Sequence, residues 1–350
     1  VSGRLRQAFQ DLLCQRNLDE GQMSVALREV FDDEPPAELV AGFLVALRLK
    51  GETGAELTGA ARAMLAVARS LELKTQPLLD TAGTGGDGLG TVNISTAAAL
   101  VAAAAGARVA KHGNRAVSGR CGGADVLEHL GVKLDPGPSV LRACLRKAGI
   151  CFVFAPAYHP LMARLAPLRR ALGVRTLFNL LGPLANPARP RRQLVGVAER
   201  SLLAPMAQAL GALGVEHGLV VNSEDGLDEI SAQAPTLAIE VRHGTPVREF
   251  TIQPAALLDD FFADNGLIGV GNPAEAAALL KRTLAGEPGS PHGIVALNAG
   301  AAIYIAGQAA SLAQGVSRAS EIIKLGKALD VLEALRRTSQ EPAPVDELRP

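Results

Sequence analysis

Asp80-Thr81-Ala82-Gly83-Thr84-Gly85-Gly86-Asp87-Gly88-Leu89-Gly90-Thr91-Val92-Asn93-Ile94-Ser95-Thr96 is the stretch on which the fold turns. Residues 83–88 formally satisfy G-x-G-x-x-G and follow an apolar strand candidate at 77–79. A dinucleotide-binding loop of that spacing enters its helix at once, and the next strand ends in a carboxylate that holds a ribose hydroxyl. Here the chain runs on through residues 89–94 before Ser95-Thr96 offers an N-cap to an Ala-rich helix, and the next strand ends in Lys111-His112. Asp87, inside the loop, opposes a bare pyrophosphate but tolerates one already complexed with a metal. Glycines let backbone N–H groups close on oxyanions, and a helix N-terminus aimed at them adds a favourable field. The stretch therefore reads as a phosphate cradle that is not a dinucleotide loop. An ordinary strand-to-helix turn is the weaker reading, because it leaves four glycines in residues 83–88 unexplained.

Two more clusters bear on the same chemistry. Lys111-His112-Gly113-Asn114-Arg115-Ala116-Val117-Ser118-Gly119-Arg120 sets cations, an amide and a hydroxyl on a glycine-punctuated loop after a strand. Loops at the carboxyl ends of parallel strands line the ligand crevice. A solvated basic loop accounts for Lys and Arg but not for Asn114 or the glycines. Glu224-Asp225-Gly226-Leu227-Asp228-Glu229 puts adjacent carboxylates on a loop after a strand at 217–221. That suits magnesium, which takes one or two carboxylates with water and substrate phosphate oxygens. Taken alone, an acidic surface turn explains it equally well.

Around these loops the sequence alternates short apolar runs with Ala/Leu-rich helical stretches. Strands are expected at 77–79, 107–110, 150–154, 193–197, 217–221 and 294–297, giving a mostly parallel sheet covered on both faces. Before residue 73 the periodicity is helical. Leu5, Ala8, Phe9 and Leu12 begin it, and Met23, Val25, Ala26, Val30 and Phe31 continue it. Pro35-Pro36 opens a third helix, Gly51 stops it, and Thr53 caps a fourth. The expected division is an α-helical domain over 1–73, with the segment 158–190 packing on it, and an α/β domain over 74–350. The last helix should end near Ser339, before the Pro-rich tail.

Composition narrows the function classes. Among 350 residues, 48% are hydrophobic and only 3% aromatic, so the core is built from Ala, Leu and Val. Thirty-five basic residues balance thirty-five acidic ones, which argues against nucleic acid or a membrane surface as a partner. Cys14, Cys121, Cys144 and Cys151 form no C-x-x-C pair and fit a reduced, cytoplasmic protein. Val1-Ser2-Gly3-Arg4 shows no basic-then-apolar leader, and the apolar run 97–110 is too short to span a bilayer.

The three clusters together resemble the anthranilate phosphoribosyltransferase family. Asp80 to Asp87 is similar to its pyrophosphate signature, continued by Asn93-Ile94-Ser95-Thr96, and Lys111-His112-Gly113-Asn114-Arg115 to its second signature. Ala155-Pro156-Ala157-Tyr158-His159-Pro160 and Arg175-Thr176-Leu177-Phe178-Asn179-Leu180-Leu181-Gly182-Pro183-Leu184 resemble the segment between its domains. Gly226-Leu227-Asp228-Glu229-Ile230-Ser231 resembles its metal motif, and the likeness runs collinearly to about Leu335. The resemblance implies a small helical domain hinged to a larger α/β domain of the nucleoside phosphorylase and class III phosphoribosyltransferase type, and a homodimer. It implies transfer of the phosphoribosyl group of phosphoribosyl pyrophosphate to anthranilate in tryptophan biosynthesis, with Mg2+ as cofactor.

Carried over by motif position, Gly83, Gly86, Asp87, Thr91, Asn93, Ser95, Thr96, Lys111, Asn114 and Gly123 would hold phosphoribosyl pyrophosphate. Gly83, His112, Asn114, His159 and Arg169 would line the anthranilate channel, with Lys111 and Arg169 in catalytic roles and Ser95, Asp228 and Glu229 on the metal. The family usually reads Ser-Gly-Ser where Cys121-Gly122-Gly123 stands, which removes two hydroxyls that backbone N–H groups would replace. Its Glu-Asn-Ala in a later helix reads Glu275-Ala276-Ala277, with no evident chemical consequence. Rival readings are a pyrimidine nucleoside phosphorylase of the same fold, a non-catalytic nucleic-acid-binding relative, and an NADP oxidoreductase supported by the glycine spacing alone.

Overall fold

A computed structural model describes residues 3–32, 34–85, 93–116, 121–258, 269–287 and 291–342. Four helices lead: α1 (Gly3–Leu13), α2 (Glu20–Asp32), α3 (Ala37–Lys50) and α4 (Gly54–Ala66). In α1, Leu5, Ala8 and Leu12 are buried, the three-to-four spacing of one helix face. In α2 the buried face is Met23, Ala26, Leu27, Val30 and Phe31, while Val25 points outward. Gly51, at φ +89°, ends α3 and donates its N–H to the Leu47 carbonyl. Thr53 and Glu56 form a reciprocal cap on α4. The buried Glu56 carboxylate also accepts from Leu18 N at 2.9 Å and Lys50 Nζ at 3.0 Å, tying this cap to the α1–α2 connection.

The sheet contains β1 (Leu79–Gly83), β2 (Val109–Gly113), β3 (Ile150–Phe154), β4 (Arg192–Gly196), β5 (His217–Ser223), β6 (Thr236–Arg242) and β7 (Arg248–Ile252), in the order β3-β2-β1-β4-β5-β6-β7. The first five are parallel; β6 and β7 are added antiparallel at one edge. Between them come α5 (Ile94–Ala104), α6 (Gly123–His129), α7 (Pro138–Ala148), the one-turn α8 (Ala155–Tyr158), α9 (Met162–Leu172), the one-turn α10 (Leu177–Leu180) and α11 (Leu203–Ala212). The chain closes with α12 (Pro273–Leu284), α13 (His292–Ile305), α14 (Leu312–Lys324) and α15 (Lys327–Gln340).

Alternate residues of the central strands face two separate cores. Leu194, Leu219 and Val221 join α5–α7 and α12–α15, whereas Val195, Val197 and Val220 join α1–α4, α10 and α11. The bundle therefore shares a core with one face of the sheet. Leu161, Met162, Leu165, Leu168 and Leu172, on and beside α9, pack against that core, and Arg164 reaches the Phe31 carbonyl at 3.2 Å.

Several expectations are corrected here. The apolar run 294–297 is not a strand but lies in α13, where nearly every residue is buried; a short apolar run cannot by itself distinguish a buried strand from a buried helix. The β6–β7 hairpin was not anticipated, because Glu240 and Arg242 interrupt its apolar pattern. β1 covers 79–83 rather than 77–79, and β2 covers 109–113 rather than 107–110, so polar signature residues lie inside the sheet. Helix α5 begins at Ile94 with Asn93, not Ser95, at its N-cap: the Asn93 carbonyl accepts from Thr96 N and Ala97 N, and Ser95 lies within the first turn. Among the described residues no helix is long and apolar enough to cross a membrane, and all four cysteines are free thiols.

Candidate active site

Chain direction sets the place of the site. From β1 the chain moves to β2 and β3 on one side, and returns to β4 and β5 on the other, so strand order reverses between β1 and β4. In a parallel sheet such a switch point opens a crevice beyond the carboxyl ends of the strands. Gly83 and Gly196 are paired there, at the ends of β1 and β4. Both must be glycine for the third cluster to dock: a Cβ at Gly83 would run into the Asp228 carboxylate, and one at Gly196 into the Asp228 backbone carbonyl.

The three sequence clusters meet at this crevice. Gly85 N–H donates to Asp228 Oδ2 at 2.7 Å, joining the glycine loop to the acidic loop. Lys111, buried in β2, donates its Nζ to the Thr81 carbonyl at 2.6 Å and to Ser95 Oγ at 3.2 Å, joining the basic cluster to the first turn of α5. Burial pulls the Lys111 ammonium below its ordinary value, and the Asp80 and Glu229 charges pull it back up. Thr96 Oγ1 and Asn93 Oδ1 are buried beside it without a hydrogen-bond partner. Gly123, first residue of α6, approaches so closely that a Cβ would stand 3.0 Å from Thr96 Oγ1. The N-terminus of α5, the Lys111 ammonium and the unpaired Thr96 hydroxyl thus converge, which suits an anion, whereas the Asn93 amide oxygen can only accept.

Beside this cradle lie two buried histidines whose rings meet edge to face, with centroids 5.5 Å apart. His112 Nδ1 donates to the Gly182 carbonyl at 2.9 Å, and His159 Nε2 to the Ala185 carbonyl at 2.8 Å. A carbonyl can only accept, so each bond fixes the tautomer, and His112 Nε2 and His159 Nδ1 are left as buried acceptors without partners. Burial pushes both imidazoles down to about 4, so they are neutral at physiological pH. Arg169, on α9, lies over the Phe178 ring at 6.0 Å and has no carboxylate partner among the described residues. Burial lowers its ordinary value. Asn114 is exposed; its Oδ1 accepts from Arg115 N at 2.7 Å, and its backbone carbonyl accepts from Ala124 N at 3.3 Å, beside Gly123. Glu229 is half-buried. Gly86, Asp87 and Thr91 lie outside the described residues.

Four supporting residues escaped the sequence reading as site residues. Asp80, buried in β1, accepts from His112 N at 3.1 Å and Asn186 Nδ2 at 2.8 Å, and burial pushes its carboxyl up to about 6. Asn186 also donates to the Ala110 carbonyl at 2.8 Å, clamping β1 to β2. Asn298 binds both backbone groups of Ile230, just after Asp228 and Glu229. Arg175 donates to the Gly85 carbonyl, and to the Thr84 carbonyl at 3.5 Å. Asn298 left the clearest signal, a lone amide in an apolar run that must find partners when buried.

Comparison with known proteins agrees with this geometry. Residues 6–68 match the glycosyl transferase family helical bundle domain, and residues 75–329 match the glycosyl transferase family a/b domain. An anthranilate phosphoribosyltransferase of Clostridium kluyveri is 45% identical over 93% of this chain and 96% of its own. The crystal structure of the anthranilate phosphoribosyltransferase from Thermus thermophilus superposes with a TM-score of 0.85 at 42% identity, covering 95% of this chain and 99% of that one. The Saccharomyces cerevisiae anthranilate phosphoribosyltransferase in complex with PRPP and Mg gives a TM-score of 0.85 at 25% identity, over 97% of this chain and 98% of that one.

Proposed function

This chain belongs to the anthranilate phosphoribosyltransferase family, and from that premise we propose how its residues carry out the family's reaction. The enzyme transfers the 5-phosphoribosyl group of phosphoribosyl pyrophosphate to the amine of anthranilate, releasing pyrophosphate, a step of tryptophan biosynthesis. The observation that carries the assignment of residues is the meeting of three distant clusters through the Gly85–Asp228 and Lys111–Ser95 bonds.

The demanding event is charge building on the departing pyrophosphate. Lys111, the N-terminus of α5, Ser95 and Thr96 form the electrostatic cradle for it, with Asn93 and Gly123 shaping its wall. Gly86, Asp87 and Thr91 extend the cradle by their place in the motif. The aromatic amine is already unprotonated and needs no base before attack. His112 and His159 offer it acceptor nitrogens, and their neutrality avoids repelling a cationic anomeric centre. Arg169 pairs with the anthranilate carboxylate, a planar fork that a guanidinium matches, and Asn114 borders that channel.

Magnesium fits the donor set. Asp228, Glu229 and Ser95 supply hard oxygens, and the described residues contain no group of three or more His, Cys, Asp or Glu side chains that could hold a metal alone. An ion here would complete its shell with water and substrate phosphates, as magnesium does. When bound, it neutralises charge on the pyrophosphate.

We further assign the helical domain to 1–73 with the segment 158–190, the α/β domain to 74–350, and a homodimer through the bundle. The exposed Leu13, Val25 and Leu49 support that interface, and light scattering tests it. The free thiols agree with a cytoplasmic location. The test of function is anthranilate fluorescence: it should be consumed only when phosphoribosyl pyrophosphate and magnesium are both present. Unchanged fluorescence in the complete mixture would overturn the assignment.

A further inference from the structure

We propose that Arg175 is a positioning residue for the phosphate loop, fixing the Thr84–Gly85 segment where the glycine loop meets the acidic loop at the pyrophosphate cradle. This rests on the reading of the cradle given above. Arg175 stands on the strap between α9 and α10, outside the loop it touches. Its Nη1 donates to the Gly85 carbonyl and its Nη2 to the Thr84 carbonyl at 3.5 Å. On the other side, Gly85 N–H donates to Asp228 Oδ2 at 2.7 Å. The peptide joining Thr84 to Gly85 therefore has a cation at its oxygen and an anion at its N–H.

Both charges favour one orientation of the peptide dipole. Rotated by half a turn, the carbonyl would face the Asp228 carboxylate and the N–H would face the guanidinium. Such restraint is needed here because Gly85 takes φ +65°, and glycine crosses between backbone regions with little steric resistance. The strap that carries the guanidinium is itself firm. Thr176 N donates to Asn179 Oδ1 at 3.0 Å, and Leu177, Phe178 and Leu180 are buried in the bundle core. Arg175 has no carboxylate partner among the described residues, so its charge remains undiminished beside the cradle. A lysine has a single donor nitrogen and cannot set two separate nitrogens against the two carbonyls as the planar fork does.

Arg175→Gln and Arg175→Lys in the full chain test this, with separate KM and kcat values for each substrate, calorimetry of inorganic pyrophosphate with magnesium, and thermal unfolding. In the Gln variant KM for phosphoribosyl pyrophosphate should rise by about tenfold, as expected for a lost charge-assisted bond. Anthranilate KM should stay within about twofold and the unfolding midpoint within about 2 °C, with the Lys variant intermediate. An unchanged phosphoribosyl pyrophosphate KM overturns the proposal, as does an equal rise for both substrates with a lowered midpoint. Should the Gln variant not fold, the Lys variant decides by the same comparison. An inactive wild-type chain would instead remove the assigned reaction, and pyrophosphate calorimetry on wild type and variants would still decide the Arg175 contact.

Discussion

Asn298→Ala removes the amide that holds the acidic loop to α13. Asn298 is fully buried; its Oδ1 accepts from Ile230 N at 2.9 Å, and its Nδ2 donates to the Ile230 carbonyl at 2.9 Å and the Ile294 carbonyl at 2.8 Å. The Ile294 carbonyl keeps its place in the helical ladder after truncation, but Ile230, also fully buried, loses partners for both backbone groups. Leaving a buried polar group unpaired costs about 1–3 kcal/mol, so two give about 2–6 kcal/mol, and local relaxation with water entry brings this to about 3 kcal/mol. Urea unfolding should show that loss as a lower midpoint at unchanged slope. Ile230 directly follows Asp228-Glu229, so the magnesium concentration needed for half-maximal activity should rise as well. An unfolding free energy within about 0.5 kcal/mol of wild type would refute the reasoning, by showing that Ile230 finds other partners.

Other outcomes follow from the same geometry. The double change Asp228→Asn with Glu229→Gln should leave the chain folded by circular dichroism but lower kcat/KM by several hundredfold or more at ordinary magnesium, roughly the loss of one oxyanion-stabilising contact; near-normal turnover would remove the metal assignment. Arg169→Ala should weaken anthranilate by about ten- to a hundredfold, the worth of one charge-assisted bond, and phosphoribosyl pyrophosphate much less; equal losses in calorimetry would point to a structural role. Acidification should destabilise the fold. His112 and His159 are held by burial at about 4, so below the ordinary imidazole value the unfolded chain takes up protons that the folded chain refuses. Their stability contribution is complete above about pH 6.5 and is lost as pH falls toward 4. Asp80, raised by burial to about 6, acts with the opposite sign between its ordinary value and 6, but it is one group against two. Unfolding free energies between pH 7.5 and pH 5 should therefore decline; a rise on acidification would contradict the assigned histidine environments.

The local sequence by itself determined the helical bundle, its stops and caps, and the presence of a glycine-rich loop after the first strand. These depend on short-range rules: Gly51 can take a positive φ, Thr53 and Glu56 lie one turn apart, and the glycine spacing at 83–88 marks a loop. The same rules located Lys111, Ser95 and Asp228 as chemically apt residues, and family resemblance supplied their roles. Tertiary structure decided what such rules cannot reach. It buried residues 294–297 in a helix, because apolar character alone is compatible with either element. It drew Asp80, Lys111 and His112 into strands, because Asn186 and neighbouring backbone groups, distant in sequence, satisfy their polar atoms. It paired Gly85 with Asp228 across 143 residues and turned Arg175 onto the phosphate loop. Hydrogen bonds of that kind have no sequence period, since they are set by where the strands end and not by what lies next in the chain.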